Sequence, residues 1–338
     1  MTFALGCIVV LGLLALAQAV CTRADARKFP APGRLIDTAE SRLHVVKTGT
    51  GEPAVVLEAG ISATCLTWSV VQPQLAAIAT TYSYDRAGLG WSAVDHRACS
   101  LDTMAEDLHR LLIQLEVPVP YILVAHSFGA YILLSYAQRF SSEIAGLVLV
   151  DPLTPEEWIN PTRAQRRRLR RAAWLSRVGG VLAAVGLVRM CLWLFRTDHE
   201  HIPTHVRFAR RVTRTGKRIL GEITKLPTNV RRVIRVHWSR PRLFRVLANQ
   251  IQALPKCAAE IARHPFPSQI PVTVISGIHQ PAERLAEQAA MANRSLHGKH
   301  IMAGKSAHWI HFDEPELVVD AVREIAEKIS PLISANGR

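Results

Sequence analysis

Residues 123–130 read LVAHSFGA and place a serine, Ser127, directly after an apolar run. The stretch is close to the pattern G-x-S-x-G, in which the central serine lies on a sharp strand-to-helix turn and acts as a nucleophile. Ala125 stands at the first glycine position of that pattern, and Gly129 stands at the second. Both residues are small, as such a tight turn requires. The stretch alone leaves two interpretations open: a nucleophile on a strained turn, or an ordinary serine at the start of a helix.

The segments on either side of LVAHSFGA predict that Ser127 follows a strand and opens a helix. Residues 120–125, PYILVA, form a short apolar run that is typical of a buried strand, and residues 127–140 have helical spacing. A helix N-terminus favours negative charge, and the backbone N–H of Phe128 would point towards an oxyanion formed beside Ser127. This is the context that a nucleophile at such a turn needs.

The same alternation of strands and helices extends along most of the chain. Residues 34–49 predict a hairpin, and residues 63–80 have the spacing of a helix. The later strands are apolar throughout, which predicts a mostly parallel central sheet with helices on both faces. The predicted strands after the hairpin comprise residues 53–58, 81–84, 120–125, 145–150, 271–276 and 299–303.

This pattern divides the chain into three parts. We predict an N-terminal membrane anchor or signal segment over residues 1–28, an α/β core over residues 29–151 and 265–338, and an inserted helical cap over residues 152–264 (hereafter the cap). The cap is strongly basic, because residues 161–245 hold 22 Lys and Arg but only three acids. This segment therefore carries more net positive charge than the chain as a whole, whose net charge is +14. The charge asymmetry indicates that the cap has an anionic partner.

The N-terminal segment is an apolar run, FALGCIVVLGLLALAQAV, over residues 3–20. As a helix it would span about 27 Å, close to the hydrocarbon thickness of a bilayer. One interpretation is a retained membrane anchor followed by the basic residues Arg23, Arg27 and Lys28. The other is a secretory signal that is cleaved after the small residues around Gln18, although no basic residue precedes the run.

A serine nucleophile needs a base at the same edge of the sheet. His308 lies between the last predicted strand and the last helix, at the carboxyl edge where open α/β sheets place their sites. His126 and His311 fit this role less well, because His126 is adjacent to Ser127 and would point away from it, and His311 lies nearer the helix. His308 and His311 lack a third candidate ligand, and the chain has no C-x-x-C, so we predict no metal site.

Four stretches of the chain can be considered together: VVLEAGISATCLTW (55–68), YDRAGLGWS (84–92), LVAHSFGA (123–130) and SAHWIHFDEPELVVDAV (306–322). In their order and spacing, they resemble the α/β-hydrolase family from about residue 34 to about residue 330. They are similar, in this order, to the family's strand and oxyanion loop, to its D-R-x-G-x-G-x-S stretch, to its nucleophile turn, and to its histidine loop with the closing helix.

The resemblance implies an α/β-hydrolase fold and roles for individual residues. Ser127 would be the nucleophile, His308 the base, and the backbone N–H groups of Ile61 and Phe128 the oxyanion hole. Many members of the family carry the acid after the cap, but that stretch here reads SGIHQPAERLAE and holds no aspartate (residues 276–287).

Two carboxylates remain candidates for the acid that orients His308. Asp151 lies at the end of the strand that follows Ser127, an arrangement similar to that of some hydrolases of this fold. From there its carboxylate can reach His308 and stabilise the imidazolium. The alternative is Glu283, the first carboxylate after the cap, which lies inside a predicted helix.

The resemblance implies a serine hydrolase that cleaves an ester, thioester, lactone or amide through an acyl-enzyme on Ser127, with no cofactor. Epoxide hydrolases and haloalkane dehalogenases of this fold use an aspartate at that position, so Ser127 argues against their chemistry. A second interpretation from another class is a catalytically degenerate member that serves as a membrane-bound binding or scaffold protein. Ala125 and the missing aspartate support that alternative.

The basic cap indicates a membrane partner more than nucleic acid. Residues 166–196 mix arginines with an apolar stretch, which suits an amphipathic helix in a membrane interface. The same residues would also suit a lid that packs apolar side chains over the site. Together with the N-terminal segment, the cap predicts a membrane-associated protein with a small or lipid-like hydrophobic acyl substrate.

Overall fold

An eight-stranded sheet lies at the centre of the chain, whose computed structural model describes residues 2–194 and 225–336. The strand order is β1-β2-β4-β3-β5-β6-β7-β8. Strands β1 and β2 form a hairpin, β2 pairs antiparallel with β4, and all other pairs are parallel. The strands comprise β1 Arg34–Asp37, β2 Arg42–Thr48, β3 Val55–Glu58, β4 Thr81–Asp85, β5 Tyr121–His126, β6 Ile144–Val150, β7 Val272–Gly277 and β8 Gly298–Ala303.

Helices cover both faces of the sheet. One face packs on a core that includes Leu108, Tyr131 and Cys257, and the other packs on a core that includes Trp68 and Val322. The predicted mostly parallel sheet with helices on both faces is therefore confirmed. The α-helices comprise α1 Thr2–Lys28, α2 Gln72–Leu75, α3 Leu101–Gln114, α4 Gly129–Arg139, α5 Pro155–Ile159, α6 Arg163–Ala184, α7 Leu187–Leu194, α8 Thr228–Trp238, α9 Pro241–Arg263, α10 Ala282–Asn293, α11 Ile310–Asp313 and α12 Pro315–Asn336.

The predicted helix over residues 63–80 is wrong. The structure has a short 3₁₀ turn over Cys65–Trp68 and then the single-turn helix α2. The apolar spacing is explained because Trp68 and Leu75 are both fully buried. Pro73 interrupts the continuous helix, since it lacks a backbone N–H and is accepted in the first turn, where it stands in α2.

In the described residues, the insertion between β6 and β7 consists of helices and the loops that connect them. Its helices are α5 to α9, and α6 packs along α9. Helices α6 and α7 meet at an angle of 89°, at Gly186, whose φ of +78° is a conformation that glycine adopts at little cost. Residues 195–224 of the predicted cap lie outside the described residues.

Helix α1 is long and apolar, and nearly all of it is exposed. Its 27 residues would extend for about 40 Å, and it is the one helix of the described chain that alone is long and apolar enough to cross a membrane. Gln18 is the buried residue of this helix, and it donates from Nε2 to the carbonyl of Ser239 at 2.9 Å. The C-terminal half of α1 therefore contacts the cap.

Candidate active site

Ser127 lies on the turn between β5 and α4, as the sequence predicts. Its φ is +54°, in the left-handed region that residues other than glycine rarely occupy. The turn is held because the Ser127 N–H donates to the carbonyl of Val150 at 3.0 Å and the Ser127 carbonyl accepts from the N–H of Ala130 at 3.1 Å. Strain of this kind persists only where surrounding contacts enforce it, and it is common at functional sites.

Small residues flank Ser127 because the turn leaves no room for larger ones. A Cβ atom at Gly129 would lie 2.8 Å from the carbonyl oxygen of Ala59 and 2.8 Å from Cγ of Glu58. Ala125 is fully buried and stands opposite Glu58 in the register of β3 and β5. Alanine is thus accommodated at the first small position of the pattern.

His308 and Asp151 meet beside this turn. His308 lies between β8 and α11, and its Nδ1 is 2.5 Å from Oδ2 of Asp151. Asp151 directly follows β6, is fully buried, and has a φ of +41°. Its N–H donates to the carbonyl of Ile275 on β7 at 2.7 Å. The carboxylate is therefore held at the carboxyl edge of the sheet, one strand from Ser127.

Glu283, the alternative acid, is exposed in the first turn of α10. Its neighbour Arg284 is buried and faces Asp151, with Nη2 3.5 Å from Oδ2. The structure therefore brings Asp151 to His308 and leaves Glu283 at the surface.

Two amides on or near α10 complete the surroundings of Asp151. Gln280 donates from Nε2 to Oδ2 of Asp151 at 2.8 Å, and Gln288 donates from Nε2 to Oδ1 at 3.0 Å. Burial alone raises the pKa of Asp151, but the hydrogen bond and charge of His308 and the charge of Arg284 outweigh it and hold the pKa below its ordinary value. Asp151 is therefore ionised at neutral pH and can accept the Nδ1–H of His308.

The sequence analysis missed these three partners of Asp151. Gln280, Arg284 and Gln288 are spaced four residues apart, a spacing that places side chains on one face of a helix. Three polar residues at that spacing just after a strand are a signal that could have indicated a shared buried partner.

The predicted oxyanion residues lie on opposite sides of Ser127. Phe128 precedes the first residue of α4, and Ile61 lies in the loop after β3, next to Ser62 with its φ of +52°. Within residues 2–194 and 225–336, neither the Ile61 nor the Phe128 N–H donates to another protein group. Gln250 of α9 fixes the loop, because its Oε1 accepts from the Ser62 N–H at 2.8 Å. The N–H groups of Ile61 and Phe128 can therefore donate hydrogen bonds to an oxygen of a ligand.

Three histidines cluster behind the turn. The ring of His126 lies 4.6 Å from that of His308 and 4.4 Å from that of His311, between centroids. His126 is buried, and its Nε2 donates to the backbone carbonyl of His308 at 3.0 Å. Nε2 of His311 is 3.1 Å from Oγ1 of Thr67. His126, which the sequence analysis set aside, thus fixes the loop that carries His308.

Two histidines of this cluster, His126 and His311, are kept neutral by burial. Burial, followed by the charges of His311 and His308, lowers the pKa of His126 well below its ordinary value. Burial also lowers the pKa of His311 to about 3. A neutral His126 can donate from Nε2 without adding a positive charge next to His308.

This burial predicts a pH-dependent stability. His311 binds a proton in the unfolded chain below about pH 6.5 but stays neutral in the folded chain down to about pH 3. The free energy of unfolding should therefore fall as the pH drops below about 6.5, by on the order of 1 kcal/mol per pH unit for this histidine. Urea unfolding in mild detergent at pH 5.0, 5.5, 6.0 and 6.5 measures the slope.

In His311→Gln, the slope of the free energy of unfolding against pH should decrease by the contribution of one histidine. This decrease is expected whatever the change in absolute stability. His264→Gln is the matched control, because His264 lies exposed at the end of α9. An unchanged slope in His311→Gln would contradict the prediction.

A second buried group of possible ligands lies under the oxyanion loop. His44, Cys65 and Asp85 place ligand atoms within 4.8 Å of one another. The N–H of Gly33 donates to Nε2 of His44 at 3.2 Å, so Nδ1 carries the hydrogen that points at Asp85, 2.8 Å away. Asp85 also accepts from the Cys65 N–H at 2.8 Å, and burial raises the pKa of the Cys65 thiol. Internal hydrogen bonds thus satisfy this group, and it suits a structural support better than a metal.

Comparisons with known proteins match this architecture. The family described as alpha/beta hydrolase fold matches residues 53–315. An AB hydrolase superfamily protein of Gibberella zeae is 25% identical over 311 residues, which cover 84% of this chain and 89% of that protein. The uncharacterized protein YqjL of Bacillus subtilis is 32% identical over 106 residues, which cover 31% of this chain and 42% of that protein. The chain thus matches less than half of the length of YqjL.

Solved structures share the fold at low sequence identity. A thermophilic esterase from Thermogutta terrifontis superposes with a TM-score of 0.59 at 20% identity, over 88% of this chain and 98% of that one. The enol-lactonase from Burkholderia xenovorans LB400 superposes with a TM-score of 0.58 at 16% identity, over 86% and 99%. At these identities the superpositions establish the fold alone.

Proposed function

Since the chain belongs to the α/β hydrolase fold family, as its motifs predict, we propose that it is a serine hydrolase that cleaves an ester or related acyl bond. The observation that carries the proposal is the hydrogen bond of 2.5 Å between His308 and Asp151, beside Ser127 on its left-handed turn. A serine rather than an aspartate at this position favours acyl transfer over the opening of an epoxide. The substrate is an ester, thioester, lactone or amide.

The three side chains divide the chemistry among them. Asp151 accepts the Nδ1–H of His308, which leaves Nε2 as the nitrogen that takes the proton from the Ser127 hydroxyl. Oγ of Ser127 attacks the acyl carbon, and the proton passes from His308 to the leaving group as the acyl bond breaks. Water, deprotonated by His308, then attacks the acyl-enzyme. The bond between the acyl carbon and Oγ of Ser127 breaks, His308 returns the proton to Oγ, and the acid is released.

The oxyanion of each tetrahedral intermediate lies between the loop after β3 and the turn at Ser127. The N–H groups of Ile61 and Phe128 donate to it, and each contributes about 3 kcal/mol to the lowering of the barrier. The dipole of α4, which begins at Gly129, adds to the stabilisation of the negative charge.

Fluorophosphonate labelling of the full-length protein tests the proposal and separates it from the scaffold alternative. The reagent forms a covalent bond with an activated serine, so the folded wild-type protein should be labelled with one equivalent on Ser127. A folded protein that is not labelled would favour a binding or scaffold role instead.

We further propose that the protein is membrane-associated through α1 and that its acyl substrate is hydrophobic. The contacts of Gln18 support retention of α1 rather than cleavage around this residue. Gln18 Oε1 accepts from Nε of Arg189 at 2.7 Å, and Asp25, further along α1, forms an ion pair with the same guanidinium. Removal of Gln18 would leave Arg189 and the carbonyl of Ser239 without these partners.

Carbonate extraction of membranes tests the anchor. Wild-type protein should remain in the pellet, whereas Leu11→Arg/Leu14→Arg should move to the supernatant, because these exposed residues lie in the middle of the apolar run. Leu11→Ile/Leu14→Ile is the matched control and should behave as wild type. An intact mass that corresponds to a chain beginning at or near Val20 would contradict retention of α1.

A further inference from the structure

A cavity of about 240 Å³ lies where the end of α1 meets the cap. It is lined by Lys28 at the end of α1, by Phe29 directly after it, by side chains of α7 and α8, and by Ser239 after α8. Four of its lining side chains are cationic and two are aromatic. The residues that matter for its chemistry are Lys28, Phe29, Arg189, Trp193, Arg232 and Arg235.

The position of the cavity follows from α1. The apolar run ends at Val20, and Lys28 lies eight residues further along the helix, or about 12 Å. Arg189 contacts α1 at the end of the apolar run, through Gln18, and beyond it, through Thr22 and Asp25. If α1 lies in a bilayer, as proposed above, the cavity lies at the level of the lipid headgroups.

The charge of the cavity is only partly compensated. Arg189 is neutralised by Asp25 and held by Gln18, so it fixes the wall between α1 and α7. Among the residues that the structure describes, no carboxylate pairs with Lys28 or Arg232, and both side chains are exposed. Two exposed cations that line one cavity, beside Arg189, which Asp25 neutralises, favour an anionic occupant.

The wall of the cavity also carries the apolar side chains of Leu192, Trp193 and Val236. Trp193 is 62% exposed, and the neighbouring Met190 and Leu194 are 50% and 61% exposed. Tryptophan is enriched at membrane interfaces, where its ring lies between headgroups and acyl chains. Helix α7 thus exposes apolar side chains beside the cavity, as α1 does along its apolar run.

We propose that this cavity binds the anionic headgroup of a membrane phospholipid and so holds the cap against the bilayer. The phosphate would lie between Lys28 and Arg232, and the glycerol and first acyl carbons would lie against Trp193. A free phosphate would satisfy the cations but would make no use of the apolar wall. The proposal rests on the membrane association proposed above, and it names the lipid class that the cap recognises.

Binding of short-chain lipids to the full-length protein in neutral detergent tests the site. Native mass spectrometry would measure the retention of dihexanoyl phosphatidylglycerol, dihexanoyl phosphatidylcholine and inorganic phosphate. We expect phosphatidylglycerol to bind at least about tenfold more tightly than phosphatidylcholine, and its binding to weaken as salt is raised. Lys28→Gln/Arg232→Gln should lower the affinity for phosphatidylglycerol at least about tenfold.

The matched control is Arg166→Gln/Arg170→Gln, which removes the same two charges from the exposed first turns of α6. Its affinity should stay within twofold of wild type. Equal binding of the two lipids, or an equal loss in the control, would overturn the proposal. Inorganic phosphate that competes fully with phosphatidylglycerol would show a free-anion site instead.

Two readouts keep this proposal separate from those on which it rests. Lys28→Gln/Arg232→Gln should still be labelled by fluorophosphonate and should still resist carbonate extraction, because neither residue belongs to the site around Ser127 or to the apolar run. If the double variant unfolds at a lower temperature than wild type, each single variant is compared instead, and an unchanged lipid affinity in both overturns the proposal.

Discussion

Ser127→Ala should abolish fluorophosphonate labelling and lower kcat for a chromogenic acyl ester by at least about 10⁴-fold. The reason is that the acyl-enzyme forms on the hydroxyl of Ser127, at the turn between β5 and α4, and alanine has no hydroxyl. The oxyanion N–H groups and the substrate pocket remain, and they account for the small activity that should be left. A series of p-nitrophenyl esters of increasing chain length measures the loss and also gives the preferred acyl length.

Ser135→Ala is the matched control for this variant. Ser135 lies on the same helix α4 and is buried to a similar degree, at 4% exposed against 6% for Ser127. Its kcat and labelling should be close to those of wild type, and both variants should unfold at similar temperatures. Full labelling of Ser127→Ala would show that another residue is the nucleophile and would remove the basis of the proposed function.

The sheet and the turn at Ser127 could be predicted from the sequence because their signals are local. A buried parallel strand is a short apolar run, and the turn after β5 needs small residues at fixed distances from the serine, here Ala125 and Gly129. The left-handed backbone of Ser127 and the contacts that would clash with a Cβ at Gly129 are the physical cause of that pattern.

The acid and its surroundings were harder to predict because their signals are not local. Asp151 and His308 are 157 residues apart, and only the order of the strands brings β6 and the loop after β8 to one edge. The partners from the start of α10 depend on how that helix packs against β7 and β8, which apolar spacing does not specify. The histidine cluster was missed for the same reason, since His126 and His311 meet only in the folded chain.

The contacts between α1 and the cap were beyond prediction for a different reason. Gln18 interrupts an apolar run, and the sequence presents it as part of a cleavage site or as a tolerated polar residue. Its burial against Arg189 and Ser239 depends on the bend between α6 and α7 at Gly186. A glycine can take that conformation, but its presence does not indicate that a bend occurs.

Asp151→Asn should lower kcat by about 10⁴-fold, whereas Glu283→Gln should leave kcat within about twofold of wild type. An asparagine at position 151 would turn its amide N–H towards Nδ1 of His308 and so favour the tautomer with the hydrogen on Nε2. That tautomer cannot take the proton from Ser127. The volume and the bond from Gln288 to Oδ1 are retained, and only Gln280, which donates to the same Oδ2 as His308, loses its acceptor at position 151. The loss of kcat should therefore exceed any loss of thermal stability.

Glu283→Gln separates this role from that of a merely nearby carboxylate. Glu283 lies in the first turn of α10, where a negative charge stabilises the helix dipole by about 0.3–1 kcal/mol. Its replacement should therefore lower the free energy of unfolding slightly and leave the hydrolysis rate unchanged, the opposite of the pattern for Asp151→Asn. If kcat fell in Glu283→Gln and not in Asp151→Asn, the acid would have to reach His308 through a rearrangement of α10, and the hydrogen bond between Asp151 and His308 would have only a structural role.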